Sequence, residues 1–152
     1  LPLFGGESEA TSQDVRHLGV KLKHNANSAL IRGKKIVLVD DSIVRGTTSR
    51  QIVRELFEAG AKEVYFLASS PPVKFPDFYG IDTPKQENLI ASQKSEEEIK
   101  KFLGATSLHY LSLDGLIAAT GLPKKYFCTS CFTGEYPIDI LEHKKEVNVP
   151  KV

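Results

Sequence analysis

The chain has no methionine among its 152 residues, not even at position 1, and it has no long hydrophobic run. The missing methionine leads us to expect a fragment, a processed chain or an expressed piece of a longer protein. No apolar run approaches the roughly 18 residues that cross a bilayer. No charged segment followed by an apolar one opens the chain, as it would in a signal peptide. We therefore expect a cytoplasmic protein.

The chain also lacks an excess of charge of either sign. Its 20 Lys and Arg against 19 Asp and Glu give a net charge of +1, which argues against a dedicated nucleic-acid surface. The hydrophobic fraction of 41% and the charged fraction of 26% are ordinary for a globular protein. A chain of this length can form one domain with a real core.

Cysteine is scarce as well, with only Cys128 and Cys131 in the chain. Their Cys-x-x-Cys spacing is that of two ligands on one metal or cluster, or of a redox dithiol. A plain pair of buried thiols is the alternative, whereas a structural disulfide is not expected in a reducing cytoplasm. The four histidines show no metal-ligand spacing: His17, His24, His109 and His143.

The most informative stretch runs from Lys34 to Thr48. Ile36 to Val39 is a β-branched apolar run without polar alternation, which predicts a strand covered on both faces in a parallel sheet. The carboxyl end of such a strand is a ligand crevice in α/β folds. Asp40 and Asp41 follow there. Because adjacent side chains diverge, one carboxylate can accept ligand hydroxyls while the other faces a hydrated cation such as Mg²⁺, which usually takes one or two carboxylates.

A small-residue turn follows the two acids. Gly46 permits a sharp turn with close backbone approach, and Thr47 and Thr48 present hydroxyls and N–H groups at a helix start, where the helix dipole favours an anion. The alternative is that Asp40, Ser42 and Thr48 merely end a strand, make turns and cap a helix. The ordered combination of strand, acids, turn and helix favours a site for a phosphorylated sugar.

The rest of the chain alternates strand and helix signals, which predicts an α/β sheet with parallel strands. Apolar runs predict the strands, and apolar periodicity with cap residues predicts the helices. The predicted elements are a helix over Ser49 to Ala59 stopped by Gly60, a strand over Val64 to Ala68, a helix through Phe102 with a capping box over 95–98 and a stop at Gly104, a strand over Leu108 to Leu111, and a helix over Ser112 to Thr120.

Residues 37–48, VLVDDSIVRGTT, resemble the phosphoribosyl-pyrophosphate (PRPP) motif of type I phosphoribosyltransferases. Further segments resemble the C-terminal half of one branch of that family, the amidophosphoribosyltransferases or glutamine PRPP amidotransferases: residues 19–25, 70–72, 79–84, 89–91 and 131–137. The resemblance implies a type I phosphoribosyltransferase-like fold, a mainly parallel twisted sheet flanked by helices. It further implies that this is a partial domain with a C-terminal helical extension.

The resemblance also implies a division of the chain. Residues 13–140 would be the C-terminal part of the phosphoribosyltransferase domain. Residues 1–12 fall outside the resemblance, and with Gly5 and Gly6 followed by Glu and Ser we expect a mobile leader or a segment added for expression, without chemistry. Residues 141–152 would be a charged, frayed tail. The N-terminal glutaminase domain and the early strands of the transferase domain would be missing, so we expect no glutamine hydrolysis by this chain alone.

The activity that the resemblance implies is phosphoribosyl transfer from PRPP to ammonia derived from glutamine, giving 5-phosphoribosylamine, the committed step of de novo purine nucleotide synthesis. Mg²⁺ is the implied cofactor, faced by Asp40 or Asp41 or both while they hold the ribose hydroxyls. Arg45 would help to bind the 5-phosphate, or would instead pair with the two acids. The other implied residues of the phosphate cradle are Ser42, Val44, Gly46, Thr47 and Thr48.

A basic segment precedes the motif strand. Residues 20–27 resemble the flexible loop that closes over PRPP in this family, which implies that Lys21, Lys23 and Asn25 contact the pyrophosphate and that Lys21 takes part in catalysis. A solvated basic face is the alternative reading of composition alone. The implied partners are PRPP, ammonia or glutamine through the missing domain, purine nucleotide inhibitors, and further copies of the chain in a homo-oligomer.

Some relatives of this kind hold a four-iron cluster through the Cys-x-x-Cys pair and two more cysteines. One of these would fall at Asp77 here, so Cys128 and Cys131 provide only half of the usual iron-sulfur ligand set.

Two rivals remain. Residues 37–42 also resemble the first strand of a response-regulator receiver domain, with Asp82 as phosphoacceptor. However, the acids lie far from the chain start, and the residues before Asp82 are rich in Pro, Gly and aromatics rather than apolar. The second rival is a non-catalytic regulator of the phosphoribosyltransferase fold that binds PRPP or a nucleotide, which the sequence discriminates poorly.

Overall fold

The structure, a computed structural model, describes residues 28–80, 83 and 85–138. Several predictions therefore lie outside the described residues. These are the leader and the charged tail, the loop residues Lys21, Lys23 and Asn25, the receiver phosphoacceptor Asp82, and the histidines His17, His24 and His143.

The described residues contain a parallel sheet of three strands in the order β1-β2-β3: β1 over Lys35–Asp40, β2 over Glu63–Ala68 and β3 over Ser107–Tyr110. Leu38 of β1 is aligned with Phe66 of β2, which is aligned with Leu108 of β3. All three strands thus end at the same edge of the sheet. The prediction of a parallel α/β sheet is confirmed.

Six α-helices lie in the described part of the chain, together with 3₁₀ turns at Gln86–Asn88 and Lys124–Tyr126. The three longest of these helices were predicted from the sequence, although the helix after β1 begins at Thr47, two residues earlier than expected. The helices are α1 over Ser28–Ile31, α2 over Thr47–Glu58, α3 over Ile90–Gln93, α4 over Glu96–Leu103, α5 over Leu113–Thr120 and α6 over Ser130–Thr133. None of these helices has the length and apolar character needed to cross a membrane.

Side chains cap α4 and α5 as the sequence predicts. The Ser95 hydroxyl accepts the Glu98 N–H at 3.4 Å, and the Ser95 N–H donates to the Glu98 carboxylate at 2.8 Å, which completes the capping box. At α5, the Ser112 hydroxyl accepts the Gly115 N–H at 3.0 Å. Gly104 ends α4 in the left-handed conformation that favours glycine.

The hydrophobic core lies between one face of the sheet and the helices α2 and α4. Phe66 of β2 is fully buried, Val53 of α2 and Ile99 of α4 are 1% exposed, and all three belong to one cluster. Residues aligned in register share a face of the sheet. The remaining buried members of that cluster are Ile43, Val64, Ala68, Ile90, Ala91, Leu103 and Leu108.

The opposite face of β1 is open, so the prediction of a strand covered on both faces is wrong for the described residues. Val37 is 61% exposed and Val39 is 65% exposed, whereas Leu38 packs against the core. In the described part of the chain β1 pairs only with β2 and forms an edge of the sheet. An apolar run without alternation does not show whether the second face of a strand is covered.

A set of contacts that we call the C-terminal clasp ties α6 and the residues after it to the loop that follows β2. The Cys131 carbonyl accepts the N–H groups of Lys74 at 2.9 Å and Phe75 at 3.1 Å. The Tyr136 hydroxyl donates to the Pro76 carbonyl at 2.8 Å, and partial burial raises the Tyr136 pKa to about 12. The clasp therefore joins segments roughly sixty residues apart.

Candidate functional site

The carboxyl end of β1 opens into a cleft of about 550 Å³. All its lining residues lie between the last residue of the strand and the first turn of α2, a stretch in which only the buried Ile43 does not line the cleft. All lining residues except Ser49 were predicted from the sequence: Asp40, Asp41, Ser42, Val44, Arg45, Gly46, Thr47 and Thr48. The structure thus brings the whole predicted cradle to one cavity.

The two acids are fixed by hydrogen bonds at the end of β1. Asp40 Oδ1 accepts the Asp41 N–H at 3.0 Å, and Asp41 Oδ1 accepts the Ser42 N–H at 2.5 Å. The Asp40 carbonyl accepts both the N–H and the hydroxyl of Ser69, at 2.8 and 3.0 Å. Each Oδ2 makes no hydrogen bond to a described residue, so each acid keeps one oxygen for a ligand hydroxyl or a hydrated cation.

Gly46 makes the turn into α2 and leaves little room for a side chain. Its backbone is left-handed, with φ +76° and ψ −4°, which an L residue adopts only at a cost. A Cβ at this position would lie 3.0 Å from Ile90 Cδ1 and 3.1 Å from Phe102 Cε1. Glycine is therefore favoured here by conformation, and a Cβ would also need Ile90 and Phe102 to shift by a few tenths of an ångström.

The backbone from Ile43 to Ser49, which we call the 43–49 turn, presents a row of open N–H groups. None of these seven groups donates a hydrogen bond to a described residue, and the first helical bond of α2 runs from the Arg50 N–H to the Gly46 carbonyl at 2.9 Å. No side chain caps α2, so Thr48 does not play the capping role of the alternative interpretation. Open N–H groups at a helix start form an anion site.

Arg45 is exposed on the rim of the cleft. It takes part in none of the ion pairs between described residues, so the alternative of a structural pair with Asp40 or Asp41 is not what the structure shows. Its guanidinium is available to a ligand in the cleft. Guanidinium groups favour phosphate because their planar fork matches two oxygens.

Two serines at the site were not predicted from the sequence. Ser49 lines the cleft and is only 4% exposed, and Ser69 holds the Asp40 carbonyl from the end of the neighbouring strand. Ser49 lies one residue beyond the motif. Ser69 follows β2, and the rule that parallel strands end at one edge is the signal that could have found it.

The donor chemistry of the cleft fits Mg²⁺. This ion keeps several waters and takes one or two carboxylates, which matches the free oxygens of Asp40 and Asp41. No group of three or more His, Cys, Asp or Glu side chains in the described ranges is placed to hold a metal ion. The acids alone therefore form no closed cage, and waters or ligand oxygens would have to complete the coordination of Mg²⁺.

The Cys-x-x-Cys pair lies away from this cleft, next to the C-terminal clasp. Both cysteines are free thiols. Cys128 is exposed and Cys131 half-buried, so the prediction of a buried thiol pair is wrong for Cys128. Burial, and then the negative charge of Asp77, raise the pKa of the Cys131 thiol. The described residues supply two thiols where an iron-sulfur cluster usually takes four, and they do not fit such a cluster.

No protein-family model matches the chain, whereas individual relatives do. The amidophosphoribosyltransferase of Bacillus subtilis is 49% identical over 151 residues, which cover 92% of this chain and 31% of that protein. The amidophosphoribosyltransferase of Rhizobium etli is 50% identical over 141 residues, covering 89% and 28%. Amidophosphoribosyltransferase 1, chloroplastic, of Arabidopsis thaliana is 51% identical over 133 residues, covering 88% and 24%.

Solved structures give the same result. Glutamine PRPP amidotransferase from B. subtilis, complexed with ADP and GMP, superposes with a TM-score of 0.74 and 46% identity over 91% of this chain and 30% of that chain. A structure described as the allosteric regulatory enzyme of purine biosynthesis superposes with a TM-score of 0.74 and 41% identity over 96% and 32%. The fold is thus α/β and type I phosphoribosyltransferase-like.

The chain spans roughly a quarter to a third of the length of the relatives it matches. These matches do not favour the receiver-domain rival. In sequence and in fold, this chain is homologous to the C-terminal part of the amidophosphoribosyltransferases.

Proposed function

We propose that this chain carries the PRPP-binding part of an amidophosphoribosyltransferase, which transfers the phosphoribosyl group of PRPP to ammonia derived from glutamine. The observation that carries the proposal is the 43–49 turn, a row of open N–H groups directly after two acids that each keep a free oxygen. A phosphorylated sugar presents an anion and hydroxyl groups, and these two parts of the cleft can bind one each. Relatives about 50% identical to this chain support the assignment.

In this proposal the 5-phosphate of PRPP binds to the 43–49 turn. The backbone N–H groups, the hydroxyls of Thr47 and Thr48 and the Arg45 guanidinium donate to its oxygens, and hydrogen bonds to a charged phosphate are shorter and stronger than neutral ones. The positive end of the α2 dipole adds to the attraction. The free oxygens of Asp40 and Asp41 accept the ribose hydroxyls on the strand side of the cleft.

In this reaction the main task of the chain is to position the substrate. Ammonia attacks C1 of the ribose from the face opposite the pyrophosphate, the bond between C1 and the pyrophosphate oxygen breaks, and 5-phosphoribosylamine forms with inversion. The transition state resembles an oxocarbenium ion, so the chain need not supply a covalent nucleophile. When bound, Mg²⁺ neutralises charge on the leaving pyrophosphate. The chain's own residues hold the ribose and its 5-phosphate.

Water competes with ammonia in such a reaction, so the site must close. We assign this closure to Lys21, Lys23 and Asn25, with Lys21 acting on the departing pyrophosphate. Residues 13–140 form the transferase part in this proposal, with a leader before it and a charged tail after it.

The longer protein in this proposal adds the glutaminase domain that supplies ammonia, works as a homo-oligomer in the cytoplasm, and is inhibited by purine nucleotides. The B. subtilis structure in complex with ADP and GMP supports the nucleotide regulation.

Calorimetric titration of PRPP with Mg²⁺ into the 152-residue chain tests the proposal. We expect binding by the unchanged chain and a loss of at least about tenfold in the Asp40→Asn/Asp41→Asn double variant, because charge-assisted hydrogen bonds to the ribose are weakened. Asp114→Asn is the matched control, since Asp114 lies in the first turn of α5 and does not line the cleft.

Failure of the unchanged chain to bind PRPP would contradict the proposal, as would equal binding by the double variant. Phosphorylation of Asp82 by a small phosphodonor would instead favour the receiver rival.

A further inference from the structure

The 43–49 turn packs against apolar side chains of two other helices. Phe102 of α4 and Ile90 of α3 occupy the space directly beneath Gly46, since a Cβ there would lie 3.1 Å from the Phe102 ring and 3.0 Å from Ile90. The Ile90 N–H also donates to the Val44 carbonyl at 2.9 Å. These residues come from a part of the chain roughly 40 or more positions beyond the turn, so the turn depends on tertiary packing.

Phe102 also contacts the residue that directly follows the turn. The Arg50 guanidinium lies over the Phe102 ring, 5.0 Å from its centroid. Arg50 also makes the first helical hydrogen bond of α2, from its N–H to the Gly46 carbonyl at 2.9 Å. One ring thus packs against the glycine that begins α2 and against the residue that closes its first turn. A cation over an aromatic face is stabilised by the ring quadrupole.

The turn has few means of holding its own shape. Its seven N–H groups make no hydrogen bond to a described residue, and no side chain caps α2. The hydrogen bonds that hold the turn are accepted by its carbonyls, Val44 from the Ile90 N–H and Gly46 from the Arg50 N–H. The N–H side of the turn therefore depends on packing to restrict its conformations. The buried side chain of Ile43, which is 1% exposed, anchors the start of the turn, and Phe102 and Ile90 support its middle.

We propose that Phe102 is a positioning residue for phosphate binding. Its ring fixes Gly46 and the first turn of α2, so that the N–H groups of residues 46–49 point into the cleft before the ligand arrives. The inference rests on the proposed function, because it assumes that a phosphate binds these groups. Preorganisation matters because a mobile turn must lose conformational entropy when it binds.

The first test needs no ligand. NMR order parameters of the backbone amides of residues 46–49 are compared in the unchanged chain, Phe102→Leu, Phe102→Tyr and the control Ile99→Val. Ile99 lies in the same helix, is 1% exposed and is not among the side chains nearest to Gly46. We expect values near about 0.85 in the unchanged chain and below about 0.6 in Phe102→Leu. Phe102→Tyr keeps the ring and should retain the higher values, as should Ile99→Val.

The second test is calorimetric titration with ribose 5-phosphate. We expect Phe102→Leu to bind about tenfold more weakly, the cost of ordering a few mobile residues, while Ile99→Val binds like the unchanged chain. Unchanged order parameters, or unchanged binding in Phe102→Leu, would overturn the positioning role. If the unchanged chain does not bind ribose 5-phosphate, the proposed function fails, and the order parameters alone then decide whether Phe102 fixes the turn.

Discussion

Gly46 shows how a single position can be restricted twice. Its left-handed backbone makes the turn between β1 and α2, and a Cβ placed there would lie tightly against the Ile90 and Phe102 side chains. Gly104, at the end of α4, has a similar φ of +73°, but a Cβ added there would meet no heavy atom within 4 Å beyond its chain neighbours and its own helix. The pair therefore separates backbone strain from steric exclusion.

We predict that Gly46→Ala destabilises the protein by the sum of two costs, about 1 to 2 kcal/mol for the left-handed backbone and about 1 to 3 kcal/mol for overpacking. Gly104→Ala should cost only the first. Urea denaturation of both variants measures the difference. Equal losses of stability in the two variants would show that Ile90 and Phe102 move away from the new Cβ without cost. That result would also argue against Phe102 as a residue that fixes the turn.

At the scale of the element, α4 begins with a capping box, in which Ser95 and Glu98 hydrogen-bond to each other, and its first turn is acidic. The hydrogen bond from the Ser95 N–H, and then that from the Ser95 hydroxyl, lower the Glu98 pKa below its ordinary value of 4.5. Because the folded pKa lies below the unfolded one, the ionised cap contributes stability that is present above about pH 4.5 and is lost as the pH falls through the folded value.

We predict that Glu98→Gln reduces the loss of stability between about pH 5 and pH 3, because the glutamine has no proton to take up. Urea midpoints measured across this range, in the variant and in the unchanged chain, give the slope. Glu58→Gln is a suitable control, since its carboxylate makes an exposed ion pair with Arg54 on the surface of α2. A slope that Glu98→Gln leaves unaltered would contradict the prediction.

The elements that the sequence predicts are those with strong local signals. α4 and α5 carry cap residues at both ends, and their boundaries differ by about one residue from expectation. α3 and α6 are four residues each and show no apolar periodicity, so no local signal reveals them. The same holds for the site. Residues 40–48 are consecutive and form one local sequence motif, so they could be predicted. Ser69 and Phe102 are distant in the sequence and come close to the motif only in the folded chain.

At the scale of the whole molecule, the described sheet has a packed face and a face that is open along β1. The same substitution should therefore cost more stability on the packed face than on the open face. Val39 is 65% exposed on the open face, and Val64 is fully buried in the core.

We predict that Val39→Thr changes the free energy of unfolding by no more than about 0.5 kcal/mol, as surface substitutions usually do. Val64→Thr should cost about 1 to 3 kcal/mol, because it buries a hydroxyl. Thermal or urea denaturation distinguishes the two variants. A large loss in Val39→Thr would mean that this face is covered in solution, for instance by association of two chains.

The C-terminal clasp has a consequence for the continuity of the chain. The exposed residues Lys124 and Lys125 lie between the body of the domain and the clasp. Cutting the chain there with trypsin would remove a peptide bond without breaking the contacts of Cys131, Gly134 and Tyr136 to the loop after β2. We expect the two pieces to remain together as a noncovalent complex. We therefore also expect the loop between α5 and α6 to tolerate a new pair of chain ends.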